Sequence, residues 1–97
     1  MINQVMHAWQ QEYPTITKEE IEMIEKAEKK LKKMGFTQVR VRYHKNIAKI
    51  EVEEKEIKKI LNEKTRKRIV NELKKLGFTY ITLDLQGYRS GSMDEGL

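Results

Sequence analysis

Two stretches of the chain repeat their apolar residues at the spacing of an α-helix. The first follows Thr17, which forms a capping box with a Glu three residues later, and Gly35 ends it. The second covers residues 54–76 and is divided by Asn62, a good N-cap residue. The pattern therefore predicts a helix over about residues 18–34, then a short helix followed by a longer one.

Alternating apolar and polar residues predict a small sheet. Every second residue is apolar over residues 39–44 and 48–52, which is the period of a strand with one buried face. With Lys45 and Asn46 as a two-residue turn, an antiparallel hairpin gathers these apolar residues on one face. A third strand is predicted over residues 80–85. The fold class is therefore predicted to be α+β, a small three-stranded sheet covered by helices in the order α-β-β-α-α-β.

A short motif occurs twice. Leu31-Lys-Lys-Met-Gly-Phe-Thr37 recurs as Leu73-Lys-Lys-Leu-Gly-Phe-Thr79, each time before a predicted strand. A helix-to-strand turn needs Gly at the helix end and an apolar residue after it that packs into the core. This requirement explains the repeated motif more simply than duplication of a sequence segment does. Around this core we expect residues 1–15 to form an arm or short helix, residues 16–86 the α+β domain, and residues 87–97 a flexible Gly/Ser-rich tail.

The composition predicts a charged, basic surface. Lys and Arg number 20 against 15 Asp and Glu, a net charge of +5 that favours anionic partners. No apolar run approaches the roughly 20 residues that span a bilayer, and no signal peptide is evident, so we expect a cytoplasmic protein without membrane contact. The chain has no cysteine, which excludes a thiolate metal site and a sulfur donor. No metal or other cofactor is expected, since His7 and His44 lack partners at ligand spacing.

Arg40 and Arg42 are the first candidates for a binding site. They project from the same face of a predicted strand, about 7 Å apart. The hairpin register places Glu51 beside Arg40 but Lys49 beside Arg42, and opposed like charges are unfavourable. A phosphate held by both guanidinium groups would relieve the repulsion. The alternative is a solvated outer face on which Glu51 satisfies Arg40, and the pattern alone favours that alternative.

Two more charged residues are candidates. Glu28 falls within the apolar arc of the first helix, where a carboxylate needs a partner. An arginine of the sheet would supply one, although an edge position open to water is the commoner outcome. Arg89 lies in Gly87-Tyr-Arg-Ser-Gly-Ser92, whose glycines allow backbone N–H groups to converge on an anion. A disordered C-terminus is the default interpretation of such a tail.

Five segments form a connected series: Val39-Arg-Val-Arg-Tyr-His44, Ala48-Lys-Ile-Glu-Val52, Leu76-Gly-Phe78, Leu83-Asp-Leu85 and Gly87-Tyr-Arg-Ser-Gly-Ser92. In order and spacing they resemble the C-terminal domain of the LarE family of ATP-dependent sacrificial sulfur transferases, PP-loop enzymes related to NAD and GMP synthetases. The resemblance implies a parent enzyme that adenylates a carboxylate on a nucleotide precursor of the nickel-pincer cofactor of lactate racemase. That enzyme then forms a thiocarboxylate with cysteine sulfur.

The resemblance also implies site residues. In such enzymes the C-terminal domain helps to form the substrate-phosphate pocket and the oligomer. Carried over position by position, it implies an anion or phosphate site formed by Arg40, Arg42 and Arg89. Glu28 and Glu51 would not contact the anion but would orient these arginines. The family's N-terminal ATPase domain with its Ser-Gly-Gly-x-Asp-Ser phosphate loop is missing here, and so is its cysteine. We therefore expect no catalytic residue, and no enzyme activity of this chain alone.

The sequence thus predicts a non-catalytic accessory or remnant domain. It would bind phosphate or a phosphorylated small molecule, dock on a separate PP-loop ATPase subunit, or both, and a homo-oligomer is a further expected assembly. Two alternatives stay open: a small basic RNA-binding domain and a purely structural oligomerisation module. The RNA alternative is weakened because the chain lacks a Gly-x-x-Gly clamp and strand aromatics that stack bases, so nucleic acid is not the expected partner.

Overall fold

Three helices and a three-stranded sheet make up residues 16–88, which are the residues that the computed structural model describes. In chain order they are α1 (Lys18–Lys33), β1 (Val39–His44), β2 (Ile47–Val52), a 3-10 turn (Glu54–Glu56), α2 (Ile57–Leu61), α3 (Glu63–Leu76) and β3 (Tyr80–Leu83). The predicted α+β class and element order are confirmed. The predicted arm over residues 1–15 lies outside the described residues, and so does the predicted tail, residues 87–97, from residue 89 onward.

Side-chain caps start the two long helices where the sequence predicted. At α1, the Thr17 hydroxyl accepts the Glu20 N–H at 3.1 Å and the Glu20 carboxylate accepts the Thr17 N–H at 3.0 Å, so the capping box is complete. This backbone hydrogen bond from Thr17 lowers the pKa of Glu20 below its usual value. At α3, Asn62 Oδ1 accepts the Thr65 N–H at 3.2 Å. Each cap satisfies a backbone donor that the helix leaves without an internal partner.

The β1–β2 hairpin has the predicted register. Lys45 and Asn46 adopt φ values of 48° and 66°, which suit a two-residue turn between twisted strands. Val39 pairs with Val52, and the remaining partners follow as predicted. Strand β3 lies on the other side of β2 and runs parallel to it, so the sheet order is β1-β2-β3. Helices α2 and α3 supply the crossover that a parallel pair requires.

The two copies of the repeated motif form the same turn. Gly35 and Gly77 end their helices with φ values of 103° and 115°, a region that strains residues with a Cβ. In both copies the N–H of the following phenylalanine donates to the carbonyl of the motif's first leucine at 3.3 Å. Phe36 and Phe78 are both buried. Each motif therefore ends a helix and anchors the next strand to the core.

The hydrophobic core lies between the helices and one face of the sheet. Its buried side chains are Ala27, Leu31, Phe36, Val39, Val41, Ala48, Ile50, Val52, Ile60, Ile69, Leu73 and Phe78. The opposite face, which we call the outer face, is polar: by register it presents Arg40, Arg42, Lys49, Glu51 and Thr82. No helix within residues 16–88 is long and apolar enough to cross a membrane.

Candidate functional site

Arg40 and Arg42 lie side by side on the outer face and share one carboxylate. Arg42 Nε lies 2.7 Å from Glu51 Oε2, and Arg40 Nη1 lies 3.8 Å from Glu51 Oε1. The register is the predicted one, with Arg40 opposite Glu51 and Arg42 opposite Lys49. The structure thus brings together the two arginines and the carboxylate that the sequence selected, and Glu51 contacts both guanidinium groups.

Glu51 is buried although it belongs to the polar face. Its relative exposure is 1%, whereas the side chains of Arg40 and Arg42 are 27% and 28% exposed. A carboxylate removed from water is unfavourable unless charged or hydrogen-bonding partners surround it, and the two guanidinium groups supply them. The arginines therefore separate a buried counterion from solvent and keep part of their own surface accessible to a ligand.

The segment after β3 covers part of this cluster. The Tyr88 N–H donates to the Val52 carbonyl, and the Arg40 guanidinium carbon lies 4.8 Å from the centre of the Tyr88 ring, within the range of a cation–π contact. Gly87 permits this path, because its φ is +82° and a Cβ there would lie 2.9 Å from the Val52 carbonyl oxygen. Tyr88 was not among the predicted site residues. Arg89, which was, lies outside the described residues, so its place in the site stays a prediction.

Glu28 finds a partner other than the one the sequence suggested. Its Oε2 accepts the backbone N–H of Val41 at 2.9 Å, so the carboxylate reaches from α1 to the edge strand of the sheet. The sequence analysis suggested an arginine of the sheet as the partner of Glu28. Because Val41 stands between Arg40 and Arg42, this hydrogen bond holds the backbone that carries both arginines. Whether Glu28 orients a bound anion stays a prediction.

Asp84 is a charged member of the outer face that sequence reasoning missed. Its Oδ2 lies 3.5 Å from Lys49 Nζ, so the lysine predicted to repel Arg42 has a carboxylate of its own. The parallel pairing of β3 with β2 brings Asp84 to this position, and the periodicity of the sequence does not predict that pairing. Among the described residues of the outer face, Arg40 and Arg42 thus share Glu51, and Lys49 pairs with Asp84.

Two concave surfaces of the described region lie apart from the arginines. One is an apolar cleft of about 240 Å³ between α3 and β3, lined among others by Leu61, Val70 and Leu83. The other is a shallow depression where four lysines of α1 meet Leu76. That lysine surface is where the RNA-binding alternative would place its contacts. Within residues 16–88, no cluster of His, Asp or Glu side chains could hold a metal ion.

Comparison with known proteins relates the chain to part of a curated protein. No family model matches it. Over 83 residues it is 45% identical to the pyridinium-3,5-bisthiocarboxylic acid mononucleotide synthase of Lactiplantibacillus plantarum, a LarE protein; the match covers 86% of this chain and 29% of the relative. The chain is a LarE-related domain. The resemblance that the sequence motifs predicted is therefore confirmed.

Two uncharacterised proteins are similar to the same LarE-related domain. One, from Synechocystis, is 37% identical over 82 residues, which cover 84% of this chain and 31% of that protein. Another, from Methanocaldococcus jannaschii, is 37% identical over 75 residues, which cover 77% of this chain and 29% of that protein. The domain thus spans about three tenths of the length of the curated relatives it matches.

Proposed function

We propose that this LarE-related domain is a non-catalytic domain that binds a phosphorylated small molecule on its outer face. The observation that carries the proposal is the pair of guanidinium groups fixed side by side over one buried carboxylate. Guanidinium groups match the geometry of phosphate oxygens, and fixing them in advance lowers the entropy lost on binding. The net charge of the chain, +5, also favours an anionic ligand.

The name of the Lactiplantibacillus plantarum relative supports a phosphate-bearing ligand. That protein is a synthase of a mononucleotide, and a mononucleotide carries a phosphate group. We propose that Arg40 and Arg42 of this chain bind the corresponding phosphate, with Arg89 as a third contact. Glu28 and Glu51 act through the arginines rather than on the ligand.

The absence of cysteine supports the non-catalytic part of the proposal. These 97 residues contain no thiol, so they have no sulfur atom to donate as a thiolate. They also contain no Ser-Gly-Gly-x-Asp-Ser phosphate loop. We propose that adenylation and sulfur transfer, where this domain takes part in them, are performed by a PP-loop ATPase subunit on which it docks.

Ligand-induced stabilisation tests the anion site directly. Phosphate or a nucleoside monophosphate at nine times its Kd should raise the free energy of unfolding by about 1.4 kcal/mol, read as a higher melting temperature. Arg42→Ala should abolish the rise because one of the two guanidinium groups is gone. Lys74→Ala, an exposed change on α3, should leave it intact.

One complication of the arginine variant needs its own control. Arg42→Ala also removes a partner of buried Glu51 and lowers the starting stability. The double variant Arg42→Ala, Glu51→Gln avoids the unpaired charge, and each shift is measured against the same variant without ligand. The proposal would be overturned if the ligand still raised the melting temperature of both variants. It would also be overturned if the ligand did not raise the melting temperature of the unmodified chain.

A further inference from the structure

The segment that follows β3 is fixed against β2 by backbone hydrogen bonds. The Asp84 N–H donates to the Ile50 carbonyl at 2.8 Å, and the Tyr88 N–H donates to the Val52 carbonyl. Between these two bonds, the Gly87 N–H donates to the Asp84 carbonyl at 3.0 Å and closes a tight turn. Because both acceptors on the sheet belong to β2, the backbone of Tyr88 is held beside the last residue of that strand.

This anchoring places the Tyr88 ring against Arg40. The ring centre lies 4.8 Å from the guanidinium carbon, and the Tyr88 side chain is half-buried. The negative face of an aromatic ring attracts a guanidinium group, yet the ring carries no net charge. A partner of this kind restricts the position of Arg40 without adding a negative charge that would repel an anionic ligand.

The shared carboxylate lies closer to Arg42 than to Arg40. Glu51 Oε2 is 2.7 Å from Arg42 Nε, whereas Glu51 Oε1 is 3.8 Å from Arg40 Nη1. The longer of these two contacts exceeds hydrogen-bond range. Arg40 is therefore restrained by two elements of the fold: Glu51 on β2 contacts it loosely, and Tyr88 packs against it from the segment after β3.

From these contacts we infer that Tyr88 is a positioning residue of the proposed anion site. Its ring holds the Arg40 guanidinium in place before the ligand binds, and Tyr88 acts through Arg40 rather than on the ligand. A long arginine side chain loses rotamer freedom when it binds, and a partner that restricts it in advance lowers this loss. The inference rests on the proposed anion site, to which it adds a residue that the sequence did not suggest.

Titration with inorganic phosphate, measured by calorimetry, tests this role in three forms of the full chain. Tyr88→Phe keeps the ring, so its Kd should stay within about twofold of the unmodified value. Tyr88→Leu keeps an apolar side chain but removes the ring, so its Kd should rise about three- to tenfold, the cost of ordering one long side chain. Unchanged affinity in Tyr88→Leu would overturn the inference, and so would an equal loss in Tyr88→Phe.

A double-mutant cycle separates positioning of Arg40 from a general structural role. In Arg40→Gln there is no guanidinium group for the ring to hold, so adding Tyr88→Leu should not weaken phosphate binding further. If Tyr88→Leu lowers the affinity by the same factor with and without Arg40, then Tyr88 acts on the ligand or on the whole fold, and the inference is refuted.

A measurement without ligand decides the case in which Arg40→Gln binds phosphate too weakly for the cycle. NMR relaxation of the Arg40 Nε reports motion of its side chain on the picosecond to nanosecond timescale. The Arg40 order parameter should fall in Tyr88→Leu and stay unchanged in Tyr88→Phe. An Arg40 side chain that remains equally ordered in Tyr88→Leu would contradict the positioning role.

Failure of the proposed function has a different signature. If the unmodified chain gives neither heat nor stabilisation with phosphate, the anion site is refuted, and the inference is refuted with it. If phosphate binds equally well to the unmodified chain, Tyr88→Phe and Tyr88→Leu, the anion site stands and only the role of Tyr88 is refuted.

Discussion

The two copies of the repeated motif build two similar halves, and their difference explains where the candidate site lies. The first half joins α1 to β1 and the second joins α3 to β3. Leu31 and Leu73, at equivalent places, both have 0% exposure. Lys30 and Glu72 are at equivalent places as well, and they form an ion pair between the two helices, with Lys30 Nζ 3.2 Å from Glu72 Oε2. The same turn chemistry thus produced the same helix–strand unit twice.

A single helix position gives the two strand edges different surroundings. Glu28 in the first half accepts the Val41 N–H at 2.9 Å and so covers the edge of β1. The equivalent residue in the second half is Val70, which with Leu83 lines the apolar cleft beside β3. An exposed backbone N–H on an edge strand invites pairing with other chains, and a carboxylate that occupies it prevents this. At this position the edge of β1 is therefore occupied by a carboxylate, whereas an apolar cleft lies beside β3.

The outer residues of the two strands differ in charge. Arg40 and Arg42 on β1 correspond to Thr82 and Asp84 in the second half. The first half therefore supplies the positive charge, and the second half supplies the carboxylate that neutralises Lys49. The two arginines proposed to bind an anion therefore belong to the first half, on β1.

The largest effect is expected from the leucines that the two halves share. Leu31→Ala and Leu73→Ala should each lower the free energy of unfolding by about 2–5 kcal/mol, because each leaves a cavity at a fully buried position. Urea denaturation measures both. The neighbouring exposed changes Lys32→Ala and Lys74→Ala should stay within about 0.5 kcal/mol. A small loss for only one leucine would show that the halves do not contribute equally to the core.

A smaller effect should follow from the position at which the halves differ. Glu28→Ala leaves the Val41 N–H without its acceptor and should destabilise the fold by about 1–3 kcal/mol. Hydrogen exchange of the Val41 amide should become faster, since its hydrogen bond is lost. Glu28→Gln keeps an acceptor oxygen and should be milder.

The matched control for this change lies in the second half. Val70→Ala should leave exchange at Val41 unchanged, because Val70 lines the cleft beside β3 instead. Unaltered protection of Val41 in Glu28→Ala would contradict the view that this carboxylate closes the edge of β1.

The smallest effect is expected where the two halves meet. The hydrogen bond and positive charge of Lys30 lower the pKa of Glu72. A carboxyl group with a lowered pKa in the folded state stabilises the fold above its unfolded pKa of about 4.3, and this contribution is lost as the pH falls through the folded value. Because the pair is at the surface, the change should be slight.

NMR titration of the Glu72 carboxyl measures this pKa. In Lys30→Gln it should move back up towards the ordinary value. The melting temperature of Glu72→Gln should differ from that of the unmodified chain above pH 5 and converge with it in acid. An unchanged Glu72 titration in Lys30→Gln would refute the assignment.

Much of the fold was determined by neighbours in the sequence. Thr17 and Asn62 cap their helices because a side-chain oxygen three residues away suffices to satisfy a backbone donor. The hairpin register follows from Lys45 and Asn46 in a two-residue turn and from strict alternation on both strands. For the same reason, the placement of Arg40, Arg42 and Glu51 on one face could be predicted from the sequence, as could the relation to LarE proteins.

The tertiary structure alone decided how these residues are surrounded. Periodicity identifies which face of a strand is buried, but it does not identify which distant segment lies beside that strand. The parallel pairing of β3 brought Asp84 to Lys49, and the path through Gly87 placed Tyr88 over Arg40. The near-complete burial of Glu51 between the two arginines is likewise a property of the folded structure, since alternation alone predicts only the face on which it lies. Such contacts depend on the packing of segments far apart in the chain, and no local pattern encodes them.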